Sequence, residues 1–221
     1  MGGNSDNTAG SWRRVLHALL PGMATPALAG AALGAVFFLA TCATQPSLPP
    51  TSVDADGRYR LATPARRMFD RASLAGRPYI VYFGCTGCDT STPAVLTRLI
   101  RLRRDLGVDA SKLPIVLITL DPKRDTPERL QAFAELRGGN LIALTGSPEV
   151  IARVADSAGV FFRHRDGRVE HTTRAYIYDC NDEFAGTIGL DESDAAALAK
   201  LRAIHDSPRA TTLATAPQAG R

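Results

Sequence analysis

The stretch "VYFGCTGCDTSTP", residues 81–93, carries Cys85 and Cys88 in a Cys-x-x-Cys spacing, directly after one apolar run and directly before an amphipathic one. Two thiols at this separation can open and close a disulfide, supply half of a soft-metal site, or sit as unrelated or structurally bonded cysteines. Thiolate is the reactive form in the first two cases. A helix N-terminus favours it, because backbone N–H groups and the positive end of the helix dipole stabilise negative charge. Asp89, next to Cys88, acts in the opposite direction. The second candidate is His171, in "RVEHTTRAYIYD", lying after a loop and before a strand. A lone histidine is ordinarily solvated or structural, and gains chemical meaning when other groups converge on it.

Periodicity predicts the elements that must position these residues. Residues 79–83 ("YIVYF") and 114–120 ("PIVLITL") read as buried strands, and between them Val95, Leu96, Leu99, Leu102 and Leu106 recur at helical spacing. That is a βαβ unit with parallel strands, whose carboxyl ends share one edge. Cys85 and Cys88 fall at that edge, where open α/β sheets place their sites. Thr126-Pro127 and Ser147-Pro148 open helices over 127–137 and 148–158, with a short strand at 141–144. Residues 160–163, a turn at Asp166-Gly167, strands at 175–178 and near 185–188, and a helix over 193–204 complete the pattern. The fold class is therefore α/β, a thioredoxin-like arrangement with a mixed central sheet and an inserted strand and helix. Compared with thioredoxins, Cys85 leaves the strand almost at once, so Cys88 holds the place of their nucleophilic first cysteine.

The 221 residues suffice for one domain with a proper core, and 45% hydrophobic against 22% charged residues argues against wholesale disorder. The net charge of +4 resides largely in short arginine groups without interleaved aromatics, which reads as solvated helix faces and not as a nucleic-acid surface. Residues 15–53 contain no Asp, Glu, Lys or Arg and follow Arg13-Arg14. The apolar length approaches the roughly 20 residues a spanning helix needs, so the segment is a signal anchor or a cleaved signal. Positive-inside orientation places Arg13 and Arg14 in the cytoplasm and the domain on the periplasmic or extracytoplasmic side. "LATC", residues 39–42, resembles a lipoprotein signal with Cys42 as the lipidated residue, although Thr41 departs from its usual small residue. The expected organisation is a cytoplasmic tip and membrane segment over 1–42, a Pro- and Ser-rich linker over 43–57, the domain over 58–206 and a disordered tail over 207–221.

Taken in order, "FGCTGCDTSTP", "LDPKRDTPE", "ALTGS" and "VEHTTRAYIYD" resemble the Sco/SenC family of thioredoxin-like copper proteins, over most of residues 69–190. The resemblance implies one copper ion, Cu(I) or Cu(II), held by two motif cysteines and a distal histidine, and a role in assembling the binuclear copper centre of cytochrome c oxidase. Aligned on Phe83, Thr86 and Pro93, the first family cysteine is Cys88 and the histidine is His171. The second cysteine is replaced by Thr92, and the proline after the first by Asp89. Cys85 is the candidate replacement ligand; Cys180 lies at the far end of its strand from His171. Asp121 and Asp125 of "DPKRDTP" are placed to hold the cysteine loop, to orient Arg124, or to cap the following helix.

Three functions remain open from the sequence. The first is a membrane-tethered copper-binding and thiol-redox accessory that serves a respiratory cytochrome oxidase subunit or another copper or thiol protein through Cys88, His171 and Cys85. The second is a metal-independent thiol-disulfide oxidoreductase or thiol peroxidase, with Cys88 as nucleophile and Cys85 as resolving partner. The third is a binding module without either chemistry, a reading that Thr92 keeps open.

Overall fold

The computed structural model of the chain describes residues 47–88, 91–109, 111–138 and 141–206. The stretch read from sequence as a membrane segment, Cys42, Asp89 and the stretch read as a tail over 207–221 lie outside the described residues. Among the described residues no helix is long and apolar enough to cross a membrane.

The chain opens with three short strands, β1 (Ser52–Val53), β2 (Tyr59–Ala62) and β3 (Met68–Asp70), and a 3-10 turn, Arg71–Leu74. Then come β4 (Tyr79–Gly84), α1 (Ser91–Asp105), β5 (Ile115–Thr119), α2 (Pro127–Glu135), β6 (Ile142–Leu144) and α3 (Pro148–Ser157). The chain continues through β7 (Phe162–Arg165), β8 (Arg168–His171), β9 (Ala175–Tyr178) and β10 (Phe184–Ile188) to α4 (Asp194–His205). The central sheet has the order β10-β9-β4-β5-β6. Strands β4, β5 and β6 run parallel and β9 and β10 antiparallel, the mixed sheet expected. The central strand β4 is buried along its whole length, which is why it reads as an unbroken apolar run.

Alternation along β4 sorts its side chains to two faces. Ile80 and Tyr82 join a core with Leu96 and Leu99 of α1, Leu130 of α2 and Leu201 of α4. Tyr79, Val81 and Phe83 join a second core with Leu61 of β2 and Ile151 and Val154 of α3. Strands β2 and β3 and the 3-10 turn were not assigned from the sequence, and two further strands differ from expectation. Strand β1 lies within the stretch read as linker, pairing Ser52 with Arg60, and the Thr51 hydroxyl accepts the Ser147 N–H at 3.3 Å. Residues 168–171, not assigned an element from the sequence, form β8 and close a hairpin with β7 through Asp166-Gly167, both at positive φ. This is the Asp-Gly signature of a two-residue hairpin turn.

At the end of β4 remote from the cysteines, the Arg71 guanidinium donates to the Tyr79 hydroxyl at 2.8 Å and to Asp182 at 3.0 Å, and lies 4.6 Å from the Tyr178 ring centroid. Cys180, a buried free thiol, lies near this end, its carbonyl accepting the Gly76 N–H. It is thereby kept away from Cys85 and Cys88.

Candidate functional site

Cys85 follows β4 directly and continues its alternation, so its side chain falls on the side of Phe83 and α3. A turn returns the Cys88 N–H to the Cys85 carbonyl at 3.3 Å, and the two sulfurs are bonded across a Cα separation of 5.0 Å. Both residues are buried. The direction that sequence left open is thus settled: Cys85 turns into the α3-side core and pairs with Cys88.

Thr92, at the position of the second family cysteine, is fully buried on the other side, in the first turn of α1. Its side chain packs on Gly84, where an added Cβ would stand 2.6 Å from Thr92 Oγ1 and 2.9 Å from Tyr82 Cε1. A glycine is required here because two large neighbours close over its Cα. The Tyr82 ring in turn meets the His171 ring edge-on, with centroids 6.1 Å apart. Thr92, Gly84, Tyr82 and His171 thus form a chain of neighbours. Burial pushes the Tyr82 phenol up to about 12, opposed by the neighbouring Thr92 hydroxyl. A raised folded-state value means that this group's contribution to stability is complete below pH 10, its ordinary value, and is lost as pH rises through about 12. Alkaline unfolding followed by tyrosinate absorbance is expected to show Tyr82→Phe retaining structure over that window better than the wild type.

His171 is the last residue of β8, half-buried, with Nδ1 2.9 Å from the Thr172 carbonyl oxygen. A carbonyl only accepts, so Nδ1 carries a proton, which in a neutral ring is the tautomer of an Nε2-ligating imidazole. Among the described residues, however, no three His, Cys, Asp or Glu side chains converge on a point that could hold a metal ion. The fold brings Cys85 to Cys88 and leaves His171 outside that pair. The physical reason is strand alternation, which sends Cys85 away from the face of Tyr82. Reduction of the disulfide would free two thiols, a soft pair on the α3 side, with the His171 imidazole apart from them.

The carboxylates of "DPKRDTP" divide the tasks anticipated for them. Thr126 caps α2, its hydroxyl accepting the Arg129 N–H at 3.3 Å. Asp125 is buried and holds the cysteine loop instead. It accepts the Thr86 N–H at 2.9 Å, the Thr119 hydroxyl at 2.6 Å, and the Thr86 hydroxyl. Asp121, also buried, pairs with Arg124, and His164 Nε2 stands 3.7 Å from its second oxygen. Thr86, Thr119 and Tyr82 are site residues that sequence reasoning did not assign. Thr86 alone had a signal, as a fixed point of the first motif.

The SCO1/SenC family model matches residues 49–206. A "SCO2-like protein" of Rickettsia felis is 27% identical over 175 residues, 73% of this chain and 85% of the relative. A "putative copper-binding protein" of Stutzerimonas stutzeri is 36% identical over 95 residues, 42% of this chain and 47% of the relative. Among solved structures, copper-bound ScoI of Bradyrhizobium japonicum superimposes with a TM-score of 0.60 at 28% identity, covering 66% of this chain and 97% of that one.

Proposed function

The chain belongs to the SCO1/SenC family, and from that premise we propose that it is a membrane-tethered accessory of copper-centre assembly in a respiratory cytochrome oxidase, working through the Cys85–Cys88 couple. The observation that carries this reading is the bond between these cysteines at the carboxyl edge of the central sheet. It supplies a second sulfur where Thr92 has removed one. A dithiol reductant, itself oxidised to a disulfide, supplies the two electrons and two protons that open Cys85–Cys88 to two thiols, which would bind Cu(I) as thiolates with loss of those protons. His171 then adds its Nε2 as a third donor if the hairpin carries it inward. Residues 15–42 are the proposed anchor, holding the domain on the extracytoplasmic side with an oxidase subunit or another copper protein as recipient.

The test is a Cu(I) titration of the chain, reduced and oxidised, against a competing chelator. One-to-one binding is expected in the reduced form alone, abolished in Cys88→Ser and weakened in His171→Ala. A second reading, thiol–disulfide exchange without metal, is favoured by the absence of a three-ligand group among the described residues. It would replace the first if the reduced protein ignored Cu(I) while Cys88→Ser alone abolished disulfide exchange with a small thiol.

A further inference from the structure

The β5–α2 loop, the start of α3 and the two-stranded β7–β8 ribbon enclose a cleft of about 500 Å³, within the usual size of a ligand pocket. Its walls are largely apolar, from Leu120, Pro148, Ile151 and Phe162. One buried polar group faces it. Asp121 lines the cleft and is only 3% exposed. Its Oδ2 accepts from the Arg124 guanidinium, whereas Oδ1 accepts no hydrogen bond from any described residue. His164 Nε2 stands 3.7 Å from that oxygen, beyond bonding distance.

These features select an occupant. Apolar walls favour a ring, and an unpartnered carboxylate oxygen in a buried setting calls for one donor. A charged group does not suit the cleft. Arg124 already balances Asp121, and the exposed side chains of Lys123 and His164 disfavour a cation. Asp121 itself, with Glu149 acting on Lys123, disfavours an anion. The indole of tryptophan and the phenol of tyrosine combine a ring with one neutral donor, and both side chains are enriched at the centres of interfaces. The cleft also adjoins the cysteines. Leu120 donates its N–H at 2.7 Å to the carbonyl of Gly84, one residue before Cys85, and shares the α3-side core with Cys85 and Cys88. Both cysteines are buried, so a protein that reaches them needs contacts beyond the sulfurs. We infer that the cleft docks a tryptophan or tyrosine side chain of the protein that meets Cys85–Cys88, its N–H or O–H donating to Asp121 Oδ1. That this partner is a copper or thiol protein rests on the function proposed above.

The experiment titrates the full chain, oxidised and metal-free, with the peptide acetyl-Gly-Trp-Gly-amide and follows backbone amide signals. Saturable shifts are expected at residues 120–124, 150–151 and 162–164. Replacing the peptide's tryptophan by 1-methyltryptophan keeps the ring and removes the donor. Binding is then expected to weaken at least about tenfold, the scale of one hydrogen bond to a charged acceptor. In Asp121→Asn, Arg124 claims the side-chain carbonyl and the NH2 is left for the cleft, so the two peptides are expected to bind alike. The wild-type comparison decides the matter even if that variant fails to fold. Equal affinities of the wild type for the two peptides would overturn the assignment. So would shifts centred on the exposed rings of Phe161 and Phe184, or tighter binding when lysine or glutamate replaces the peptide's tryptophan. Neither copper nor a reductant enters this titration. Failure of the wild type to bind Cu(I) therefore removes the copper reading alone, and the peptide pair still judges the cleft.

Discussion

Cys85→Ser is expected to lower the Cu(I) affinity of the reduced protein by more than about 100-fold, beyond the 10- to 100-fold usual for groups that only support a ligand. Thr92→Cys, placed in that same variant, is expected to recover most of it. The family's second sulfur position is occupied here by a buried hydroxyl packed on Gly84 and Tyr82, a hard neutral donor to a soft cation. Among the described residues Cys85, bonded to Cys88, is the one that offers a replacement thiolate at hand. A serine at 85 keeps size and removes the sulfur. A cysteine at 92 returns the sulfur on the face where Tyr82 meets His171. The double variant thus moves one ligand across the strand while conserving the number of thiolates. Competition titration with a chromophoric Cu(I) chelator reads both steps. Wild-type affinity in Cys85→Ser would sink the idea that the ligand set has been rebuilt around residue 85.

The same comparison shows where sequence reasoning reaches and where it stops. Strand β4 and helix α1 were legible because each obeys one period, a continuous apolar run for a strand buried on both faces and a three-and-four spacing for a helix covering it. Strand β8 was not, since "RVEH" lies on a ribbon exposed along most of its length and carries one buried side chain, Val169. His171 was therefore assigned to a stretch between loop and strand instead of a strand end. The N-terminal strands are two to four residues long and are fixed by distant partners, as in the Ala62–Thr145 bridge, which no local pattern encodes. For the site, spacing announced the Cys85–Cys88 pair, but its side of the sheet followed only from the strand's register. Asp125 shows the same limit. A carboxylate before Thr-Pro-Glu reads equally as a helix cap, and only tertiary structure reveals that Thr126 does the capping and Asp125 turns to the cysteine loop.

That division of labour makes Asp125→Ala the substitution expected to cost most in stability, about 3–5 kcal/mol. It strands one backbone N–H and two hydroxyls that donate to the carboxylate in a buried setting. Unmade buried hydrogen bonds cost roughly 1–3 kcal/mol per group, those to charged acceptors at the upper end. The hydroxyls of Thr86 and Thr119 can rotate toward other acceptors, whereas the Thr86 N–H cannot, which holds the total below the sum of three. Asp125→Asn keeps the shape but exchanges one acceptor oxygen for an NH2 facing donors, and is expected to lose about 2 kcal/mol. Urea unfolding of the oxidised protein measures both. The loop between the cysteines should also loosen, so in Asp125→Asn, which retains the fold, dithiothreitol is expected to reduce the Cys85–Cys88 bond at least about tenfold faster. Wild-type stability in both variants would show that Asp125 only fills space. A loss of stability without faster reduction would place its effect in the β5–α2 corner and leave the cysteine loop held by its own turn, in which Cys88 N–H already returns to the Cys85 carbonyl.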